Sequence, residues 1–360
     1  MNEKQLQYYY PFRFFASRKH LNKIISSIRT REDFNDNVIS FLGDANYRES
    51  QMEPNRWFDQ SGLNARAITE IENIYSFAKF RNSGSNIFNF SKELLELLDR
   101  TDVEDVQFEN IKQPYKNYYI SFRNLNRDVL GEYMEYHHKL DGVYISNEVE
   151  NAIIIHLAGF NEDKKNKNWW YYPDFTNINT LDFIKPTNTV KETLENLYNE
   201  LKKRLLIEDS NLAPNLDRTY KEIEQNIKLI INCILYLSSQ KENLTKEYPT
   251  DVPSHLISKL ERAKTKRQKE VAQDEIKRNG FTKITFAKLD NSTDNSERNE
   301  TGTGIEVSPH WRRGHWRKQP YGTNLTEIKL IWIRPTIVRK DKGEPTKGHI
   351  YEVNKESTST

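Results

Sequence analysis

The chain has 360 residues, of which 36% are apolar and 12% aromatic, so it can bury a core of one large or two modest domains and is not disordered throughout. Its lone cysteine, Cys233, excludes a disulfide within the chain and a multi-thiolate metal site, and we expect a cytoplasmic protein. No apolar run is long enough to span a membrane, and the N-terminus lacks the apolar core of a signal peptide, so no membrane contact is expected.

The N-terminal part combines aromatic residues with helical patterns. Aromatic residues crowd the first fifteen positions around Pro11, which predicts an extended segment held by ring burial. Ser17 can cap a helix with an isoleucine stripe, and a second helix is predicted over 65–80. Ser91 is expected to start a short helix that ends at Leu98.

The middle of the chain changes to the composition of strands. Three short runs are rich in Ile, Val, Tyr and Phe, and a polar connection between the last two favours a hairpin; they are 117–122, 142–146 and 152–158. His156 lies in the third run and is interpreted as a core histidine. His137 and His138 with Asp141 could bind a metal, but adjacent histidines point apart on most backbones, so surface histidines are favoured. No metal and no cofactor are expected.

Two amphipathic helices follow. Thr189 with Glu192 has the spacing of a capping box, and Thr219 with Glu222 repeats it. Each motif precedes a stripe of apolar residues at helical spacing. We therefore predict two helices that form an antiparallel hairpin against the sheet.

The next helix is predicted from Ser254 to Gly280 and is strongly charged. It carries eight Lys and Arg against four acids over 259–278, so it could bind RNA, although a solvated face is the favoured interpretation. A strand is predicted over 281–287. Residues 290–304 contain Asn, Ser, Thr, Asp, Glu and Gly and predict a flexible linker, and 328–338 is the strongest strand pattern of the chain.

These elements predict an α+β protein in which a mixed or antiparallel sheet is packed by helices and a basic strand unit lies at the C-terminal end. The expected organisation is a mainly helical region over 1–110, an α+β core with paired helices over 111–289, the linker 290–304, and a basic unit over 305–353 that packs on the core.

The most unusual stretch is 308–322, with sequence SPHWRRGHWRKQPYG. The formal net charge of the chain is +2. The segment 308–340 holds eight Lys and Arg against Glu327, which makes it +7 and leaves about −5 for the remainder. A local basic patch on a nearly neutral chain indicates a focused anionic partner.

The residue types in this stretch suit RNA phosphate and bases. Arginine pairs with phosphate through two hydrogen bonds, and tryptophan can stack on unpaired bases. We therefore expect partner contacts from a set of cationic and aromatic residues. These are Arg312, Arg313, Trp316, Arg317, Lys318, Tyr321 and Arg334. The alternative is structural: Trp311 and Trp316 are core residues, and the arginines are merely solvated.

Two histidines extend this hypothesis to catalysis. In metal-independent RNA cleavage one histidine removes the proton of the 2′-hydroxyl and another protonates the leaving oxygen. His310 and His315 are the candidates, and Gly314 is expected to allow a sharp turn between Arg313 and His315. The spacing of the two histidines is not specific for this chemistry, so both binding and cleavage stay open.

The run PHWRRGHW over 309–316, followed by KLIWIRP over 329–335, resembles the C-terminal signature of a family from phages and plasmids. That family includes a type V anti-CRISPR protein. The residues that match the signature are His310, Arg312, Arg313, His315 and Trp316. Upstream of the signature, the order of helices and aromatic strands is similar in layout.

The resemblance implies an anti-defence function exerted during translation. By that reading the protein recognises the emerging N-terminal part of the type V CRISPR nuclease and lowers its messenger RNA. Its expected partners are RNA or a ribosome-associated nascent chain. The alternatives are a metal-independent ribonuclease, or a module that binds RNA, the ribosome or an acidic partner with a different target.

Overall fold

The computed structural model describes residues 9–17, 22–28, 58–59, 62–63, 65–125, 138–161, 176–208, 216–239, 244–289 and 310–338. The helices in these ranges are α1 Tyr10–Ser17, α2 Asn22–Ser27, α3 Ala65–Asn82, α4 Lys92–Asp99, α5 Val190–Glu208, α6 Leu216–Ser239, α7 Ser254–Glu261 and α8 Lys266–Arg278. The strands are β1 Phe58–Asp59, β2 Gly62–Leu63, β3 Ile87–Phe90, β4 Thr101–Asp102, β5 Asn117–Ser121, β6 His138–Ser146, β7 Ala152–Asn161, β8 Thr176–Asp182, β9 Leu244–Glu247, β10 Ile284–Ala287, β11 His310–Arg312, β12 Gly314–Tyr321, β13 Glu327–Ile333 and β14 Thr336–Val338. None of the helices in these ranges is long and apolar enough to cross a membrane.

The fold is α+β, as predicted, and its centre is a seven-stranded mixed sheet. The strand order is β8-β7-β6-β5-β3-β10-β9. The pairs β5–β3 and β3–β10 are parallel, whereas the other neighbours are antiparallel. The predicted hairpin of β6 and β7 is confirmed. The sheet takes strands from both sides of residue 110, and the division into domains stays a prediction.

Each face of the central sheet carries its own layer of helices, because alternate residues of a strand point to opposite faces. On β5, Tyr118 and Ile120 pack with α4, α5 and α6, whereas Tyr119 packs with α1, α2, α3, α7 and α8. The antiparallel arrangement of α5 and α6 is confirmed at both ends of their contact. At one end, Tyr198 of α5 packs on Tyr220 of α6 at a centroid distance of 4.6 Å. At the other end, the Lys191 N–H in the first turn of α5 donates to the Glu104 carbonyl, and Lys228 of α6 forms an ion pair with the Glu104 carboxylate.

From Tyr10 onward the N-terminal aromatic segment is a helix, so the expected extended conformation is wrong in the described part of that segment. Pro11 stands in the first turn of α1, where its missing N–H costs nothing. Asp141 fixes the helix to the sheet: one of its carboxylate oxygens accepts from the Tyr10 N–H at 3.0 Å and from the Tyr119 hydroxyl at 2.7 Å. Arg13 lies 3.8 Å from the other oxygen. The buried Asp141 is therefore committed to this anchor.

His156 is a core histidine, as predicted. Its Nδ1 is 2.7 Å from the Ser76 hydroxyl and its Nε2 is 2.7 Å from Asn73 Oδ1. Burial lowers the pKa of His156 to about 3, because the surrounding core disfavours the charged ring. The ring is therefore neutral at physiological pH.

The capping signals have mixed outcomes. Ser91 caps α4 as predicted, and the Thr189 box is confirmed by its two reciprocal hydrogen bonds with Glu192. The box at Thr219 is wrong, because α6 already starts at Leu216 and Thr219 lies inside the helix. The predicted helix 254–280 is two helices, separated where Thr265 caps α8. The predicted linker 290–304 lies outside the described residues.

Candidate nucleic-acid interface

The basic stretch belongs to one long hairpin over 310–338. Strand β12 pairs with β13, and β11 pairs with β14, in the same register: His315 lies opposite Ile333, and His310 opposite Val338. This register places Arg313 opposite Pro335, where the pairing is interrupted. Proline has no N–H to donate to the ladder, which accounts for the break. The predicted single strand 328–338 is thus two strands divided at Pro335.

Gly314 allows the hairpin to approach the core closely. It begins β12, is buried, and pairs with Thr101 of β4. A Cβ atom at this position would lie 2.7 Å from Pro335 Cδ and 2.9 Å from the Ile333 carbonyl oxygen, which is too close. The expected sharp turn at Gly314 is wrong, because the residue is part of a paired strand and has no positive φ. The glycine is required by packing.

Two tryptophans hold the hairpin on the core. Trp316 and Trp332 lie opposite each other on β12 and β13, and their rings stack at a centroid distance of 6.4 Å. They are only 8% and 7% exposed. Tyr236 of α6 packs edge-on against Trp332. This burial fits the structural alternative for Trp316 and leaves its indole unavailable for stacking on a base.

Both indole N–H groups have partners in the core. Trp316 Nε1 donates to Asn232 Oδ1 of α6 at 2.7 Å, and Trp332 Nε1 donates to Thr101 Oγ1 at 3.0 Å. The Asn232 amide nitrogen in turn donates to the carbonyls of Leu98 and Thr101. Because buried polar groups are costly without partners, this network specifies one position for the hairpin.

The cationic residues of the hairpin lie at the surface. Arg312, Arg313 and Arg317 are exposed, and Lys318 is exposed while its ammonium bonds to Gln107 Oε1 at 2.6 Å. Opposite residues of an antiparallel pair share a face, so Arg317 lies beside Ile331 on the face that points away from Trp316. The structure therefore presents several exposed cations along a hairpin that the two tryptophans hold on the core.

Tyr321 and Arg334, the two remaining candidates for partner contacts, each contact a neighbouring residue of the hairpin. The Lys329 ammonium lies 5.5 Å from the centre of the Tyr321 ring, and a hydrogen bond with Glu327 raises the pKa of the Tyr321 hydroxyl. The Arg334 guanidinium lies 5.7 Å from the Trp332 ring. Arg334 is thus packed against the anchor, whereas Tyr321 is exposed near the turn of the hairpin.

The two histidines are placed on a shared extended arm. His310 belongs to β11 and His315 is exposed on β12. Five residues of extended chain span roughly 16 Å at about 3.3 Å per residue. A general acid and a general base must both reach the same phosphate within hydrogen-bond distance. This spacing does not suit a catalytic pair, and the histidines fit binding better than cleavage.

The sequence profile of the AcrVA2-like family, described as the anti-CRISPR type V subtype A2 family, matches residues 88–340. The chain belongs to this family. The matched region runs from β3 to just beyond β14, so it includes the central sheet and the whole hairpin. Membership supports a type V anti-CRISPR function and implies interaction with a type V CRISPR system.

Two further comparisons accompany the match to the AcrVA2-like family. The chain is similar to a crystal structure of AcrVA2, at 14% sequence identity and a TM-score of 0.36, over 91% of this chain and 92% of that chain. No curated protein matches the chain in sequence.

Sequence reasoning missed the partners that hold the hairpin of this AcrVA2-like chain. Asn232 and Thr101 are far from the hairpin in sequence and belong to no recognisable motif. One available signal was a lone asparagine on an apolar stretch of a helix, since buried polar side chains need partners. Within the described ranges, no group of three or more His, Cys, Asp or Glu residues could hold a metal ion.

Proposed function

We propose that the protein lowers the expression of a type V CRISPR nuclease by engaging its nascent chain and messenger RNA through the hairpin 310–338. The family match supports the target system. The single observation that carries the contact surface is the group of exposed arginines, Arg312, Arg313 and Arg317, on a hairpin anchored by two buried tryptophans.

Exposed arginines on a fixed strand suit RNA phosphates. Guanidinium groups bind phosphate oxygens bidentately, and each neutralised phosphate releases counterions from the nucleic acid. A strand that is already ordered loses little conformational entropy on binding. Arg312, Arg313 and Arg317 can therefore bind a phosphate backbone without a prior change of fold.

The far end of the hairpin suits an extended peptide. Leu325 and Ile328 are 66% and 52% exposed, and Tyr321 is 38% exposed. Strand β13 is also the edge of its three-stranded sheet among the described residues. An unfolded chain emerging from a ribosome can pair with such an edge and place apolar side chains on these residues. The hairpin thus combines an RNA-binding chemistry with a peptide-binding one.

The proposal is tested in bacteria that express the nuclease together with this protein. We expect lower nuclease messenger and protein, measured by quantitative RT-PCR and immunoblotting, and recovery of both in the triple variant Arg312→Ala/Arg313→Ala/Arg317→Ala. The variant Lys112→Ala/Lys116→Ala, which removes exposed lysines in another loop, is the charge control. Equal messenger levels with and without the wild-type protein would refute the proposal.

A second arm tests the dependence on translation. A nuclease transcript whose start codon is destroyed should keep its normal level, whereas a reporter fused behind the N-terminal part of the nuclease should be lowered. Co-sedimentation of the protein with ribosomes should then require that same nascent chain. Loss of the untranslated transcript would contradict recognition of a nascent chain.

A further inference from the structure

A second group of cations lies in an open cleft between α7 and α8. The cleft has a volume of about 840 Å³, within the range of ligand-binding clefts. Its lining includes His255, Lys259, Arg262 and Arg267, and no carboxylate belongs to the described lining. Among the described residues, neither Arg262 nor Arg267 forms an ion pair, whereas Lys259 pairs with Glu275.

The fold concentrates charge that looks balanced in the sequence. The helical segment 259–278 has four acids against eight bases, but the chain breaks after α7 and starts again at α8. Residues 254–269 hold six Lys and Arg against Glu261 alone. Glu270 and Asp274 lie further along α8, and Glu275, also on α8, pairs with Lys259 of the lining. The cationic half of the segment is therefore gathered around the turn between the two helices.

The turn between the helices is held rigidly. The Thr265 hydroxyl accepts from the Gln268 N–H at 3.2 Å, and Gln268 Oε1 accepts from the N–H groups of Thr265 and Lys264 at 3.1 and 2.9 Å. Arg262 precedes this capping box and Arg267 lies within it. The backbone positions of both arginines are thus fixed before a ligand arrives, which reduces the entropy cost of binding.

The cleft and the hairpin lie on opposite faces of the central sheet. Leu256 of α7 and Ile276 of α8 pack in the core layer that contains Tyr119. Trp316 and Trp332 pack in the other layer. A ligand that contacts both basic regions must therefore be long and flexible enough to pass around the domain.

We propose that the α7–α8 cleft binds the phosphodiester backbone of RNA, as a second contact separate from the hairpin. The proposal deepens the function given above and rests on it, since RNA is the ligand in both. Arg262 and Arg267 provide guanidinium forks for phosphate oxygens, and the lining contains no Phe, Tyr or Trp ring for a base, so binding depends on the backbone and is independent of sequence.

The lining favours RNA over an acidic protein partner. Protein interfaces depend on buried aromatic and large apolar anchors. The cleft offers only Ala263 and Val271 as apolar residues among its basic and polar lining. Binding to a phosphate backbone needs cations and no such anchors.

The test uses the full chain and a fluorescein-labelled single-stranded RNA of mixed sequence, with affinity measured by anisotropy over a range of salt concentrations. We expect Arg262→Ala/Arg267→Ala to bind about tenfold more weakly at low salt and to lower the slope of log affinity against log salt by about 1 to 2. Arg262→Lys/Arg267→Lys should recover part of the affinity. Lys112→Ala/Lys116→Ala is the charge control, and circular dichroism checks the fold of each variant.

The results of these binding measurements decide whether the α7–α8 cleft binds RNA. Wild-type affinity and slope in the folded Arg262→Ala/Arg267→Ala variant would overturn the cleft site. Labelled polyglutamate is measured in the same way, and if the Arg262→Ala/Arg267→Ala variant loses polyglutamate binding but keeps RNA binding, the cleft site is overturned in favour of an acidic protein. RNA binding that depends on the cleft, without any lowering of the nuclease in cells, would sustain the cleft site and refute the proposed function.

Discussion

Replacing Trp316 with phenylalanine separates an anchoring role from a base-stacking role. The substitution keeps an aromatic ring on β12 but removes the indole N–H that donates to Asn232 Oδ1 at 2.7 Å. It leaves a buried acceptor without its partner, which costs about 1–3 kcal/mol. Because a phenyl ring still fills part of the space of the indole, the loss is smaller than the value of about 3–5 kcal/mol expected for Trp316→Ala.

The assay for this substitution is thermal unfolding combined with hydrogen exchange. At roughly 2 °C per kcal/mol for a long chain, Trp316→Phe should lower the melting temperature by about 2–6 °C. Exchange should rise first in the N–H groups of β12 and β13, since the hairpin loses one of its fixed contacts. The control is Arg317→Gln, on the exposed neighbour, which should leave both measurements unchanged.

The opposite pattern would refute the anchor. A base-stacking Trp316 would give Trp316→Phe a normal melting temperature and unchanged exchange, together with a weaker affinity for RNA. Unchanged exchange in β12, with or without an effect on RNA, is incompatible with the network described for Asn232.

Three further predictions concern the same fold. Gly314→Ala should lower the free energy of unfolding by about 1–3 kcal/mol, because its Cβ would meet the Ile333 carbonyl. Chemical denaturation measures this loss, and an unchanged midpoint would contradict the close approach. Asp141→Asn should lower the free energy of unfolding by about 3–5 kcal/mol in the same assay, because it removes the buried carboxylate charge 3.8 Å from Arg13. Burial lowers the pKa of His156 to about 3 in the folded protein, against an ordinary value of 6.5. The stability that its neutral ring contributes is therefore fully present above pH 6.5 and is lost as the pH falls towards 3. Stability should drop by about 2 kcal/mol between pH 7 and pH 5, and His156→Gln should lack this part of the drop.

Local signals predicted local structure and little beyond it. The fold class, the hairpin of β6 and β7, the helix after Ser91 and the box at Thr189 follow from periodicity and capping chemistry, which act within a few residues. The capping box predicted at Thr219 is wrong, because the helix already begins at Leu216 and Thr219 lies inside it. A capping motif acts only where the chain before it leaves the helix.

The candidate site was only partly predictable, since its position depends on distant partners. The concentration of arginine at 312–317 identified the basic stretch, and those arginines are exposed, but the hairpin that carries them was not predicted. The role of Trp316 could not be read from its neighbours, because its partner Asn232 lies 84 positions away. Likewise, the need for Gly314 arises from contact with Thr101, and no turn pattern marks it.

From Arg317 to Lys329 nearly every residue is exposed, so this end of the hairpin makes almost no contribution to the core. Apart from Gly322, whose positive φ disfavours any side chain, substitutions there leave the free energy of unfolding nearly unchanged, while Trp316 and Trp332 keep the backbone in place. This end of the hairpin can therefore change the chemistry that it presents to a partner at little cost to the fold. Substitutions at this end of the hairpin change its surface, whereas substitutions at Trp316, Trp332 and Gly314 change how the hairpin sits on the core.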